Sequence, residues 1–361
     1  MASFLFYLFK RLLIIPATLL MITVVLYAMF LLAPPEERAS LYMSSNPPRV
    51  LTEEAYQNMI DRVIAENGLD DPFLWQYGRW LTKLLRGDWG YSPTFNAPVL
   101  ELLRLRTPVT LELTFYSLLT LIPLGLISGL LAGWRPHRAW DRQFRGLAFV
   151  GSAIPPFILG LFLLSIFYVG MGWFPPGRLD VTQLLLLRSS GFEPYTGFMT
   201  IDGLLNGRPE ISAEALRHLV LPVITLSLVH WATLGRVTRA STMDETGKEY
   251  ILAAHARGLR QRSIKWRHVL PIVMIPSLTS IALSAAAIVT GVFVVEIVFN
   301  FKGLSELITD GLQGPPDIAL VLGFAVYSVF LVIPILLLVD LLKAVVDPRV
   351  RGEGGIGEQA E

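Results

Sequence analysis

Six long stretches of the chain contain no aspartate, glutamate, lysine or arginine: residues 12–35, 113–134, 146–177, 218–235, 269–295 and 318–339. Each is at least about 18 residues long, enough for a helix to cross roughly 30 Å of hydrocarbon. Backbone N–H and C=O groups find no water there, so each stretch must close its hydrogen bonds internally, as an α-helix does. Only 16% of the 361 residues are charged, and mean hydropathy is +0.54. These values exclude a soluble multidomain chain and predict an all-α integral membrane protein with six transmembrane helices. The apolar run 181–187 is too short to span and is expected to lie at the interface or against the bundle.

The first stretch follows Lys10-Arg11 but is too long for a signal-peptide core. It lacks a small-residue cleavage site and ends in Pro34-Pro35, so it reads as a retained helix. The chain contains no cysteine, which excludes disulfides, thiolate metal sites and thiol redox chemistry. Orientation comes from charge. With the N-terminus inside the cell, segments 1–11, 135–145, 236–268 and 340–361 are cytoplasmic and hold 17 Lys/Arg against 9 Asp/Glu; the rest holds 13 against 20. Basic residues favour the cytoplasmic ends of membrane helices, so both termini are expected inside a prokaryotic plasma membrane. No basic patch with interleaved aromatic residues suggests nucleic acid.

The pieces outside the bilayer are unequal. Residues 36–107 are long enough for a small extracytoplasmic subdomain between helices one and two. One helix is expected from an N-cap at Thr52 through Asn67, closed by Gly68, and another from Pro72 to Leu85. Residues 171–217 read as a Gly/Pro-rich loop with short helical pieces. Thr107-Pro108 suggests an N-cap and first helical residue, and the polar end 352–361 reads as disordered.

Reactive constellations are missing. Thr246-Gly247-Lys248-Glu249 is the nearest string to a phosphate-binding loop and lacks its first glycine and its hydroxyl residue. HExxH, GxSxG and paired intramembrane acids are absent. His137, His218, His230, His255 and His268 show no metal-ligand spacing. His230 falls within a span, where it faces a polar cavity or bonds a neighbouring helix. Glu112, Glu296 and Asp340 lie near span ends, within reach of water or headgroups. Pro123, Pro155-Pro156, Pro222, Pro276 and Pro334 interrupt spans and predict kinks. The chain is therefore expected to be no enzyme, with no cofactor or metal of its own.

The most informative loop lies between spans four and five. Segment 249–271 carries five Lys/Arg against one acid, yet begins with Ala253-Ala254 and reaches Gly258. As a helix it places Tyr250, Ala253, Ala254 and Arg257 on one side, with Ala254 and Gly258 one turn apart. Glu249 at its start and Arg257 near its end both suit the helix dipole. Holding the loop against anionic lipid would explain the arginines. A docking helix for a cytoplasmic partner would explain the small face as well.

This loop resembles the EAA loop of binding-protein-dependent ABC importer permeases: Ala253-Ala254, Gly258 and Leu270-Pro271 stand at its spacings. Leu252 replaces the glutamate and His268 the isoleucine, as in the dipeptide/oligopeptide/nickel branch. Glu249-Tyr250, Ala256-Arg257-Gly258-Leu259 and Arg267-His268 are similar to that branch. So are Leu85-Arg86-Gly87-Asp88-Trp89-Gly90-Tyr91-Ser92 with Pro98-Val99, Thr107-Pro108-Val109-Thr110-Leu111-Glu112-Leu113, Thr196-Gly197-Phe198 and Arg217-His218-Leu219-Val220-Leu221-Pro222.

The resemblance implies a type I ABC importer permease fold. Its parts would be an N-terminal helix (1–35), the outside subdomain (36–107), a five-helix core (108–343) with the coupling loop 244–271, and a cytoplasmic tail (344–361). It implies a homologous second permease subunit, two cytoplasmic ATPase subunits holding ATP and Mg, and an extracytoplasmic solute-binding protein. The implied docking residues are Tyr250, Ala253, Ala254, Gly258 and Leu259. Peptides lead as cargo, with oligosaccharides, nickel chelates and opines as alternatives in the same machinery. An ion-coupled secondary transporter and a membrane-embedded enzyme are more remote readings.

Overall fold

The structure, a computed structural model, describes residues 2–32, 34–39, 42, 53–189, 191–313 and 317–346. Thr52, Gly352 and the segment 347–361 lie outside the described residues. In chain order the helices are α1 (Ala2–Phe30), α2 (Pro35–Ala39), α3 (Glu53–Asn67), α4 (Phe73–Leu85), α5 (Val99–Trp134), α6 (Ala139–Ala153), α7 (Pro156–Leu163), α8 (Val181–Ser189) and α9 (Met199–Leu205). They continue with α10 (Pro209–Thr246), α11 (Glu249–Ala256), α12 (Gln261–Ser263), α13 (Leu270–Val298), α14 (Leu304–Gly311) and α15 (Ile318–Val346). Wider π-helical turns follow α7 (Leu164–Gly170) and precede α13 (Ile264–Val269). Two short strands, β1 (Tyr91–Ser92) and β2 (Ala97–Pro98), pair antiparallel.

Three helical stretches are long and apolar enough to cross a membrane unaided: Val99–Trp134, Pro209–Thr246 and Gln261–Val298. A fourth candidate is broken. The run expected as one span over 146–177 is two helical pieces meeting at 103°. Its cause is local: Ile154 precedes Pro155 and adopts φ −93°, ψ 123°, because a following proline ring disfavours the helical conformation. Pro156 then opens α7 in a position where its missing N–H costs nothing. The apolar stretches Pro16–Phe30 and Ile318–Pro334 are shorter.

The chain divides into two compact units, one holding residues 108–302 and the other residues 6–107 and 303–333. In the second, Tyr27 and Phe30 of α1 pack with Tyr77 of α4 and Leu322 of α15, and Tyr27 lies 5.0 Å from the Trp80 ring centre. The expected closure of α3 occurs at Gly68, whose φ of +60° suits glycine. Pro72 precedes the first residue of α4. Asp317 caps α15 through the Leu320 N–H at 3.0 Å and accepts from the hydroxyl of Ser92 in β1. Thr107 is not an N-cap: α5 begins at Val99 and runs through Pro108, and the Thr107 hydroxyl bonds back to Leu103 O.

In the first unit, α10 is the central rod. It has 38 residues, about 57 Å at 1.5 Å per residue, so it exceeds the hydrocarbon thickness. It begins at Pro209, well before the uncharged run. Lipid offers helices no hydrophobic drive to associate, so close packing must hold them. Gly125, Gly129 and Gly133 of α5 supply it at four-residue intervals. A Cβ on Gly129 would stand 2.5 Å from the Gly235 carbonyl oxygen, and one on Gly133 at 2.5 Å from that of Arg239. On another side, Thr238 of α10 meets Ser277 of α13 hydroxyl to hydroxyl at 3.1 Å.

Candidate functional site

The basic loop folds as expected near its start. Glu249 stands in the first turn of α11 and His255 in the last, which agrees with the dipole. Arg257 caps the helix, and Gly258 turns left-handed at φ +75°. The Gly258 N–H then reaches His255 O at 2.9 Å, and the Leu259 N–H reaches Ala254 O at 3.2 Å. This paired closure is the Schellman stop, which needs glycine for its backbone angle. No atom lies within 4 Å of the position a Gly258 Cβ would take. Close approach by this chain is therefore not what requires glycine.

The five residues singled out from sequence do not share one free face. Ala254 is 6% exposed and, with Ile251, packs against Leu130, Ile264, Val269 and Val273. Tyr250 is half-buried against the same cluster. Its hydroxyl donates to Glu245 Oε2 at 2.9 Å, and burial, reinforced by that carboxylate, pushes its pKa up to about 12. Ala253, Gly258 and Leu259 are exposed, as is Leu252 at 66%. A helical wheel groups side chains, but the tertiary fold decides which group is covered. Beyond α11, Arg260, Arg262 and Arg267 surround a hollow of about 450 Å³.

Buried charge fixes the neighbouring helices. Asp141, wholly buried at the start of α6, is bridged by the Nε and Nη2 of Arg239 on α10 and accepts the His137 N–H at 2.9 Å. Glu112 and Glu296 are also buried, at 2% and 0% exposure, rather than solvated at span ends. Glu112 accepts from Arg178, the Thr200 N–H and the Thr200 hydroxyl. Glu296 accepts from the Thr110 hydroxyl. A buried carboxylate is tolerable only with such partners. The side chain of Asp340 lies outside the description.

Near the N-terminal end of α10 lies a polar clasp. His218 Nδ1–H donates to Gly177 O at 2.9 Å, and its Nε2 stands 3.2 Å from Glu214 Oε1 and 3.6 Å from Asp180 Oδ1. These ligand-type atoms gather within 4.8 Å, although the histidines alone gave no such spacing. Arg217 Nη1 joins them, 2.9 Å from Glu214 Oε1, while its Nε holds Trp173 O at 2.7 Å. The clasp therefore carries its own countercharge and ties loop 171–180 to α10. Further along, His230 and several hydroxyls of α10 and α13 line a groove.

Residues 122–352 match the family described as binding-protein-dependent transport system inner membrane component. The chain belongs to that family. Among curated relatives, the probable D,D-dipeptide transport system permease protein DdpB of Escherichia coli K12 is 35% identical across 86% of this chain and 89% of its own. The dipeptide transport system permease protein DppB of Alkalihalophilus pseudofirmus is 28% identical across 96% and 99%. The oligopeptide transport system permease protein AppB of Bacillus subtilis is 31% identical across 80% and 84%. The family match takes in α10, α11 and α13, the elements that build this inner-membrane component's loop and groove.

Sequence reading missed two features of this permease. The Gly125, Gly129, Gly133 spacing was visible and is a recognised signal of close helix packing. The partners of Glu112 and Glu296 were not visible, because Thr200 and Thr110 stand 88 and 186 residues away from the acids they hold.

Proposed function

We propose that this chain is one permease subunit of an ATP-driven importer and forms half of the path for di- or oligopeptides. An extracytoplasmic solute-binding protein would deliver the cargo. A homologous second permease would complete the path, and two cytoplasmic ATPases would bind ATP and Mg and hydrolyse the nucleotide. The reading assigns no catalytic role to this chain. It places six spans across the membrane, with both termini inside and residues 36–107 outside. The excess of Lys/Arg over Asp/Glu in the inner segments supports that orientation. Residues 1–35, 108–343 and 344–361 would form the first helix, the permease core and the tail.

One observation carries the mechanism: α11 is anchored by Ile251 and Ala254 to the ends of α5 and α13 while Leu252, Ala253, Gly258 and Leu259 remain exposed. ATPase closure would push on that exposed face, and the buried face would pass the force to the spanning helices. Tyr250 and Ala254 act here as the root of the docking helix. The arginine-ringed hollow would meet acidic groups on the ATPase.

Ala253→Trp tests this directly, because the side chain is exposed and the helix interior tolerates the change. Gly258→Trp would also block docking but would strain the left-handed stop. In the reconstituted four-subunit complex, Ala253→Trp should lower ATP-driven peptide uptake at least 10-fold while membrane insertion is unchanged. Undiminished uptake would overturn the assignment.

A further inference from the structure

Where α10 and α13 lie side by side they leave a groove of about 390 Å³. His230 and Thr233 line it from α10, and Pro276, Thr279, Ser280 and Ser284 from α13. The α13 positions recur at spacings of three and four, so they form one stripe. The lining includes an imidazole and four hydroxyls beside the apolar Val237, Leu283 and Ala287, and from outside it Arg236 Nη2 reaches the Thr233 hydroxyl at 3.5 Å. Thr233 and Thr279 are exposed.

The hydroxyls of these helices fall into two kinds. Thr238 and Ser277 stand hydroxyl to hydroxyl, and each is also within reach of a carbonyl of its own helix, so their two protons are shared among three contacts. They complete the helix contact. Ser280 is 93% buried, since its exposure is 7%, and its Oγ has no hydrogen-bond partner. Pro276, which also lines the groove, has no N–H to offer the carbonyl four residues before it, at Ile272. Acyl chains would satisfy none of these groups, and polar groups left bare in hydrocarbon are costly.

We propose that this groove is a hydrated wall of the transport path, along which the backbone amides and termini of a short peptide exchange hydrogen bonds. The proposal rests on the importer reading and adds the residues that meet the cargo. His230 and the exposed Thr233 and Thr279 supply groups able to donate and accept, while the buried Ser280 hydroxyl is left uncommitted between the helices. The lining side chains themselves carry no fixed charge, and Arg236 stands at the edge beside Thr233, so a peptide ammonium finds no carboxylate partner among the lining residues. Contacts of this kind are weak and indifferent to the peptide's side chains, as a path that must release its cargo requires.

The natural chain has no cysteine, so Thr233→Cys and Thr279→Cys each introduce a single thiol. Leu119→Cys, at an exposed apolar position of α5, is the control. In the assembled complex, a charged methanethiosulfonate reagent should modify both groove positions at least 10-fold faster than the control. A saturating dipeptide should slow that modification at least 3-fold, and complete modification should cut uptake at least 10-fold. His230→Leu should lower uptake more than His230→Gln, with ATPase assembly intact in both. Groove thiols that react no faster than the control would overturn the proposal. So would rapid modification that leaves uptake unchanged, or thiols that crosslink to the second permease in every state. Unmodified complex that imports no peptide would sink the importer reading, while the labelling contrast still judges the groove.

Discussion

The two ends of α10 are anchored by different chemistry. Past its C-terminal end, α11 is rooted by apolar burial of Ile251 and Ala254, with a few polar contacts around Glu245. Toward its N-terminal end, loop 171–180 is held by the clasp of Asp180, Glu214, Arg217 and His218, half open to solvent at Asp180. Apolar contact is indifferent to salt and lacks a favoured direction, so it transmits force as long as the surfaces stay in register. Charge contact at a partly exposed site weakens with ionic strength and can be remade in more than one pairing. One end is held by packing, the other by charge pairs that salt can loosen.

The sharpest way to break this contrast is Ile251→Ala. Its side chain is 3% exposed, and removing it leaves a cavity under α11. The expected loss is about 2–5 kcal/mol, confined to the α11 end, and limited proteolysis of the complex should show earlier cleavage near residues 249–260. Next is His218→Ala, which leaves the Gly177 carbonyl without its donor. A loss of about 1–3 kcal/mol is expected, read as faster amide exchange in loop 171–180 with α11 unaffected. The smallest effect is that of Tyr250→Phe, which removes one hydrogen bond to Glu245 and keeps the ring in place. About 1 kcal/mol or less is expected in denaturant titration. An effect larger than that of Ile251→Ala would mean that polar contacts, and not packing, secure α11.

Sequence revealed the elements governed by a solvent rule and concealed those governed by distant partners. The α5, α10 and α13 helices were legible because uncharged runs have one backbone solution in hydrocarbon. The same rule misled at Pro155-Pro156, where an uncharged run continues through a turn of 103°; apolar character says nothing about direction. Glu112 was read as solvated because Arg178 and Thr200 belong to segments without regular pattern. In the loop between α10 and α13, the identity and ends of α11 were readable from Glu249 and Gly258. The covering of Ala254 was not, since Leu130 and Val273, which share its cluster, lie in helices on either side in the chain.

The stripe of Gly125, Gly129 and Gly133 has a mechanical consequence. Because α5 sits in backbone contact with α10 over two helical turns, neither can slide along the other without collision. Tilting the pair together is the cheaper motion. Pro222 interrupts the hydrogen bonding of α10 and offers a pivot. From there to Thr246 is 24 residues, about 36 Å. Over that radius a swing of about 5° displaces the tip by about 3 Å, so a modest nudge at the C-terminal end of α10 is enough to change which side chains face one another along the helix pair.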